Sequence, residues 1–132
     1  MDQSFGKKEK LKSKVIIDRL FKEGYSLKKY PLRLIYIPLE INAEARNKTA
    51  VSVPKRNFKK AVERIKIKRL MREAYRKSKY LVSSKLTTPY ALMLVYTGRE
   101  VPEYSKIFSA TEELLKNFVQ QEKMKEHEKI NR

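Results

Sequence analysis

The sequence predicts an α+β fold: a small α/β sandwich with one mainly antiparallel sheet, helices packed on it, and the order αβββαβα. Three observations predict it. Segments with apolar residues at helical spacing stand at the beginning, middle and end of the chain, runs rich in β-branched and aromatic residues lie between them, and 132 residues supply one modest core. Elements in this order bury their apolar faces most simply by stacking the helices on a single sheet.

Residues 1–12 carry Lys7, Lys8, Lys10 and Lys12 with little apolar content, and read as a flexible basic arm. Ser13 suits the cap of a short helix over Lys14–Lys22, with apolar positions at Val15, Ile16, Leu20 and Phe21 and a stop at Gly24. Leu32–Leu39 (LRLIYIPL), framed by Pro31 and Pro38, has the composition of a strand near a sheet edge. A loop over Asn42–Asn47 leads to a second strand, Thr49–Val53, in which Thr49, Val51 and Val53 alternate with Ala50 and Ser52, and Pro54 ends it. Two or three strands thus separate the first two helices, and the order αβββαβα takes three. Beyond the middle helix, Ser83–Pro89 is a polar connection. Tyr90–Tyr96 (YALMLVY) is apolar on both sides, as a central strand buried on both faces requires. Thr97, Gly98 and Pro102 mark a turn into a last helix from about Glu103 to Lys125, carried by Ile107, Thr111, Leu114, Leu115 and Phe118, with a frayed tail over 126–132. The whole chain, 1–132, reads as one domain without internal repeats or linkers.

The middle helix and its approach carry the strongest functional signal. Between Lys55 and Arg76 lie ten cations, Lys55, Arg56, Lys59, Lys60, Arg64, Lys66, Lys68, Arg69, Arg72 and Arg76, against two acids, Glu63 and Glu73. At 3.6 residues per turn, Ile67, Leu70, Met71 and Ala74 form one narrow apolar stripe, and Lys68, Arg69, Arg72 and Arg76 project from the far side. A solvated charged face is the ordinary reading of such a helix. Here, however, ten cations have only Glu63 and Glu73 as acidic partners at i±3 or i±4, so they repel one another, and selection for stability alone would have mixed the signs. The balance favours polyanion binding, with cations able to track several phosphates over the roughly 27 Å that about 18 helical residues span.

Composition agrees. The net charge is +17, the pI is about 10.1 and 36% of residues are charged, which points to nucleic acid ahead of an anionic membrane surface. No apolar run approaches the ~20 residues of a spanning helix, and MDQSFGKKEKLKSK lacks the apolar core of a signal peptide. With no cysteine, disulfides, zinc fingers and thiol catalysis are excluded. A cytoplasmic protein fits best.

A catalytic constellation is lacking. The single histidine, His127, stands in the expected tail among Glu126, Glu128 and Lys129; Glu112 and Glu113 occupy adjacent helix positions and point apart; Ser83 and Ser84 have no histidine in reach; and only Gly6, Gly24 and Gly98 are available for a phosphate loop. No metal-ligand set is present, and no small-molecule substrate is indicated. Aromatic residues in or beside basic segments (Phe21, Tyr25, Tyr30, Tyr36, Phe58 and Tyr75) give a second clue, since bases of single-stranded RNA stack on such rings. Phe108 and Phe118 keep a helical period and belong to the core.

Together these residues resemble the protein component of bacterial ribonuclease P. Ala61–Arg76 follows most positions of that family's signature helix, A-x-x-R-N-R-x-K-R-x-x-R-E-x-x-R; Val51–Arg56 resembles its strand ending in S-V-x-K-K/R; and Leu11–Lys12 with Leu20–Gly24 resembles its first helix, which ends in F-K-x-G. The resemblance spans roughly residues 5–122. It implies a subunit of an enzyme whose catalytic component is an RNA working with bound Mg²⁺, and which removes the 5′ leader from precursor tRNA. It implies that Arg64, Lys66, Lys68, Arg69 and Arg72 contact ribonuclease P RNA, to which Lys55, Arg56, Lys59, Lys60 and Arg76 are added as the rest of the same basic run, that Ile17, Phe21, Tyr36 and Ser52 line or border a cleft for the leader, and that the βαβ crossover is left-handed. One departure stands out: Ile65 occupies the position of the family's Asn, on the basic side of the helix. The alternative function is a ribosomal or general RNA-binding or chaperone protein with no part in tRNA processing.

Overall fold

The structure, a computed structural model, describes residues 10–40, 47–83, 86 and 88–130, without the side chains of 83 and 126–130. Its elements are α1 (Lys14–Glu23), β1 (Tyr25–Lys29), β2 (Leu32–Pro38), β3 (Lys48–Ser52), α2 (Ala61–Ser78), α3 (Tyr80–Ser83), β4 (Tyr90–Tyr96) and α4 (Tyr104–Ile130). The predicted order is present, with the one-turn α3 added between α2 and β4.

The four strands lie in the order β1-β2-β4-β3. β1 pairs antiparallel with β2 and β2 with β4, while β3 runs parallel to β4, so α2 is the crossover of a βαβ unit. β2 is therefore central, not near an edge as its flanking prolines suggest. The prolines explain why they are tolerated there: Pro31 precedes the strand and Pro38 is its last residue, so no inner ladder bond is lost. β1, which carries no apolar alternation, has only Leu27 partly buried and is held by its pairing to β2.

Strand alternation divides the core in two. On one face, Leu32, Leu34 and Tyr36 of β2 and Tyr90, Leu92, Leu94 and Tyr96 of β4 join α2 and α4. On the other, Ile35 and Ile37 with Ala91 and Met93 pack under α1 and Leu11. Each fully buried Leu, Ile or Phe contributes about 1.5–3 kcal/mol relative to exposure, so the α2/α4 side, with Ile67, Met71, Ile107, Leu114, Leu115 and Phe118 all fully buried, is the larger source of stability.

Local chemistry fixes the first helix. The Ile16 amide donates to Ser13 Oγ at 3.4 Å, the expected cap. Gly24 ends α1 at φ −66° and ψ 146°, an extended conformation open to any residue. The need for glycine is steric: a Cβ there would collide with the Leu20 carbonyl oxygen and would lie 2.6 Å from Ile35 Cγ2. Two boundaries differ from expectation. Residues 1–9 of the expected arm lie outside the described residues, but Lys10 bridges Thr49 and the Leu11 amide donates to the Thr49 carbonyl at 2.9 Å. The buried Leu11 side chain anchors this extra β pairing. At the other end α4 continues to Ile130, because Glu, Lys and Met after Leu115 are good helix formers with no breaker among them. Residues 131–132, and the side chain of His127, lie outside the description, as does most of the expected 42–47 loop. Asn47, its last residue, accepts from the Tyr90 amide through Oδ1 at 2.8 Å.

Candidate nucleic-acid interface

α2 presents two faces. Ile67, Met71 and Ala74 of the predicted stripe are fully buried and Leu70 is half-buried, which pins the helix against α4 and β3. Turned away from them, Lys66, Arg69 and Arg72 are exposed, with Lys68 half-exposed on the flank. Lys55, Arg56, Lys59 and Lys60, in the approach to α2, are also exposed. Among the described residues the side chain of none of these eight cations makes a hydrogen bond or ion pair to the protein.

The other two predicted cations are engaged within the chain. Arg64 turns its guanidinium back to the carbonyls of Phe58 and Lys59, at 2.7 and 2.9 Å, and so ties the Lys59–Lys60 approach to the first turn of α2. Arg76 makes a forked pair with Glu73, Nε–Oε2 at 3.0 Å and Nη2–Oε1 at 2.6 Å. The bond from Arg76, together with the nearby Lys77 ammonium, holds the Glu73 carboxyl below its usual range. Arg76 thus lends less charge to the outward face than the wheel suggests.

The second surface is the α1 face of the sheet. Side chains on this face lie in registered rows across the strands. One row, Ala50, Met93, Ile35 and Ser26, has its two central members buried beneath α1. The next row, Ser52, Val95, Arg33 and Lys28, has none buried, and Arg33 Nε donates to Ser26 Oγ at 2.8 Å. α1 therefore covers one end of the face and leaves the other open, polar and basic. Ile17 is half-buried against the apolar floor, and Phe21, four residues on along the same stripe of α1, is 58% exposed. Ser52 closes the open row at the end of β3, immediately before the basic approach to α2.

Three of the four residues expected at a cleft thus share one face, and Tyr36 does not. It is 1% exposed on the opposite side of the sheet, ringed by Phe118 at 4.6 Å and Tyr90 at 6.2 Å between centroids. Its hydroxyl donates to Glu122 Oε2 at 3.2 Å, and the Tyr90 hydroxyl donates to Oε1 at 3.0 Å. Lys125 completes this buried carboxylate's set at 3.0 Å and lies 4.0 Å from the centroid of the Tyr25 ring. Burial, reinforced by the Glu122 charge and hydrogen bond, holds the Tyr36 phenol far above its usual value of 10.0. The misplacement is a parity error: adjacent strand residues face opposite ways, and it is Ile35 that lies under α1. Arg33 and Lys28 were missed for the same reason; counting by twos back from Ile35 through β2 identifies Arg33, and the hairpin register then identifies Lys28.

Phe58 and Tyr75 are core residues, 4% and 2% exposed, while Tyr25 and Tyr30 are exposed. Glu112 and Glu113 do point apart, to Lys116 at 3.5 Å and Lys29 at 3.3 Å. Among the described residues no group of three or more His, Cys, Asp or Glu could hold a metal ion. No described helix is long and apolar enough to cross a membrane.

Residues 5–119 match the family Ribonuclease P. The chain is 34% identical over 112 residues to the ribonuclease P protein component of two strains of Porphyromonas gingivalis, covering 83% of this chain and 82% of each relative. The fold is similar to the RNase P protein of Staphylococcus aureus, with TM-score 0.64 and 23% identity over 82% of this chain and 93% of that one. It is also similar to that of Thermotoga maritima, with TM-score 0.66 and 21% identity over 83% and 96%.

Proposed function

The chain belongs to the bacterial ribonuclease P protein family, and from that premise we propose that it is the non-catalytic subunit of the ribonucleoprotein that removes the 5′ leader from precursor tRNA. Its cationic α2 face and the Lys55–Lys60 approach dock on the catalytic RNA, while the half-covered α1 face holds the single-stranded leader. The observation that carries this reading is the pairing of two surfaces on one chain: eight cations whose side chains have no protein partner among the described residues, and an open basic row beside an exposed aromatic.

The physical division of labour follows. Cations on α2 displace counterions from phosphates, a sequence-independent and salt-sensitive attraction. Phe21 offers a ring to an unpaired base, a contact that tolerates any sequence, and Arg33 and Lys28 offer charge to the backbone of the same strand. The bond-breaking chemistry belongs in this reading to the RNA and the Mg²⁺ it binds. The chain raises affinity for a substrate with a leader over the mature product, and it works in the cytoplasm, where tRNA precursors are processed.

Reconstitution tests it. Cleavage of precursor tRNA by the ribonuclease P RNA of the same organism should be stimulated by this chain at low Mg²⁺, and binding should tighten as the leader is lengthened. No stimulation at any protein ratio overturns the proposal, and equal affinity for precursor and mature tRNA points instead to a general RNA-binding protein.

A further inference from the structure

The outward face of α2 is not uniformly polar. Val62 and Ile65, one turn apart at i and i+3, are 78% and 56% exposed. At 100° per residue Ile65 lies within about 40° of both Arg69 and Arg72, and Val62 within about 40° of Arg69 and Lys66. Two aliphatic side chains therefore occupy the centre of the face, with cations on both flanks and toward its C-terminal end. In an isolated protein this arrangement is unfavourable twice over, since apolar surface stays in water and like charges crowd together. Both costs vanish against a partner that alternates anionic and weakly polar groups at close spacing.

We infer that Val62 and Ile65 pack on ribose edges of the docked RNA, between the phosphates that Lys66, Arg69 and Arg72 neutralise. The inference rests on the proposed docking of α2 on RNA and deepens it. Charge complementarity selects the partner: an apolar protein surface would leave Lys66, Arg69 and Arg72 desolvated without counter-charge, whereas an RNA backbone presents sugars and phosphates in turn. The aliphatic pair then supplies binding that salt does not screen, beside cations whose contribution falls steeply with salt.

That difference gives the test: binding of in vitro transcribed ribonuclease P RNA to the full chain, across a salt series, for wild type, Ile65→Ala and Ile65→Lys. Both variants alter an exposed helical position and should keep the wild-type melting temperature. Ile65→Ala should weaken binding by roughly tenfold at every salt concentration, as expected for most of one aliphatic side chain returned to water, and leave the salt slope unchanged. Ile65→Lys should steepen the slope by about 0.7–0.9 yet bind more weakly than wild type at high salt, so that the two lines cross. Unchanged affinity in Ile65→Ala, or tighter binding by Ile65→Lys at all salt concentrations, overturns the inference while leaving the subunit reading intact. A wild-type chain that does not bind the RNA overturns both.

Discussion

The two faces of the sheet use the same strands and the same alternation to opposite ends. Under α2 and α4 the face is closed: Tyr36, Tyr90 and Phe118 interlock edge to face, and the buried Glu122 carboxylate is satisfied by two tyrosine hydroxyls and Lys125. Under α1 the face is closed only as far as the row of Ile35 and Met93, and the row of Ser52, Val95, Arg33 and Lys28 stays open. A ten-residue helix cannot cover what an 18-residue and a 27-residue helix cover together. The lesson is that the sheet's own side chains divide by its plane, closed packing on one side and open surface on the other, so substitutions on the two faces should fail differently.

The sharpest break of that separation is Phe118→Ala. Removing a fully buried ring that contacts two others should cost about 3–5 kcal/mol, read as a lower denaturation midpoint, with leader binding following only the folded fraction. Phe21→Ala, across the sheet, should do the reverse. Its melting temperature should barely move, and affinity for precursor tRNA should fall by about 1–3 kcal/mol with mature tRNA unaffected; a comparable loss on both RNAs would mean the ring faces no leader.

Tyr36→Phe asks whether the closed face depends on its polar network. Leaving Glu122 one donor short should cost about 1–3 kcal/mol of stability without changing discrimination between precursor and mature tRNA, since the residue lies away from α1. The same residue predicts a pH effect. With its phenol held far above 10.0, the folded chain retains that proton more tightly than the unfolded chain. Its stabilising effect is therefore whole below pH 10 and lost as pH rises beyond it. Burial also raises Tyr96 and Tyr104, so Tyr36→Phe should flatten the alkaline decline in stability and not abolish it.

The smallest effect is expected on α2. Replacing Arg69 or Arg72 with Gln should reduce the salt slope of RNA binding by about 0.7–0.9 each, whereas Arg76→Gln should reduce it less, because Arg76 is already paired with Glu73. Equal reductions at all three would show that the Glu73 pair opens on docking.

Much of the fold was legible because it is written in local periodicity. The Ser13 cap, the Ile67–Ala74 stripe of α2 and the doubly apolar β4 each follow from neighbours along the chain. β1 and α3 left little trace, because one is held by pairing and the other is a single turn. The central place of β2 was hidden by prolines that turn out to sit at its ends. Of the candidate interface, the run of cations and Phe21 could be read directly, whereas Ile17 came only with the family resemblance.

What the sequence by itself determined is the set of parts: the helices and most of the strands, one strongly basic helix with a buried stripe, and the motifs that carry the family. What only the tertiary structure decided is how they face one another. It buried Tyr36 and exposed the Arg33 row, engaged Arg64 and Arg76 within the chain, and left Val62 and Ile65 in the open. The physical reason is that periodicity reports which residues share a side of one element, whereas coverage depends on the length and placement of the element packed against it, which only contacts distant in sequence can set.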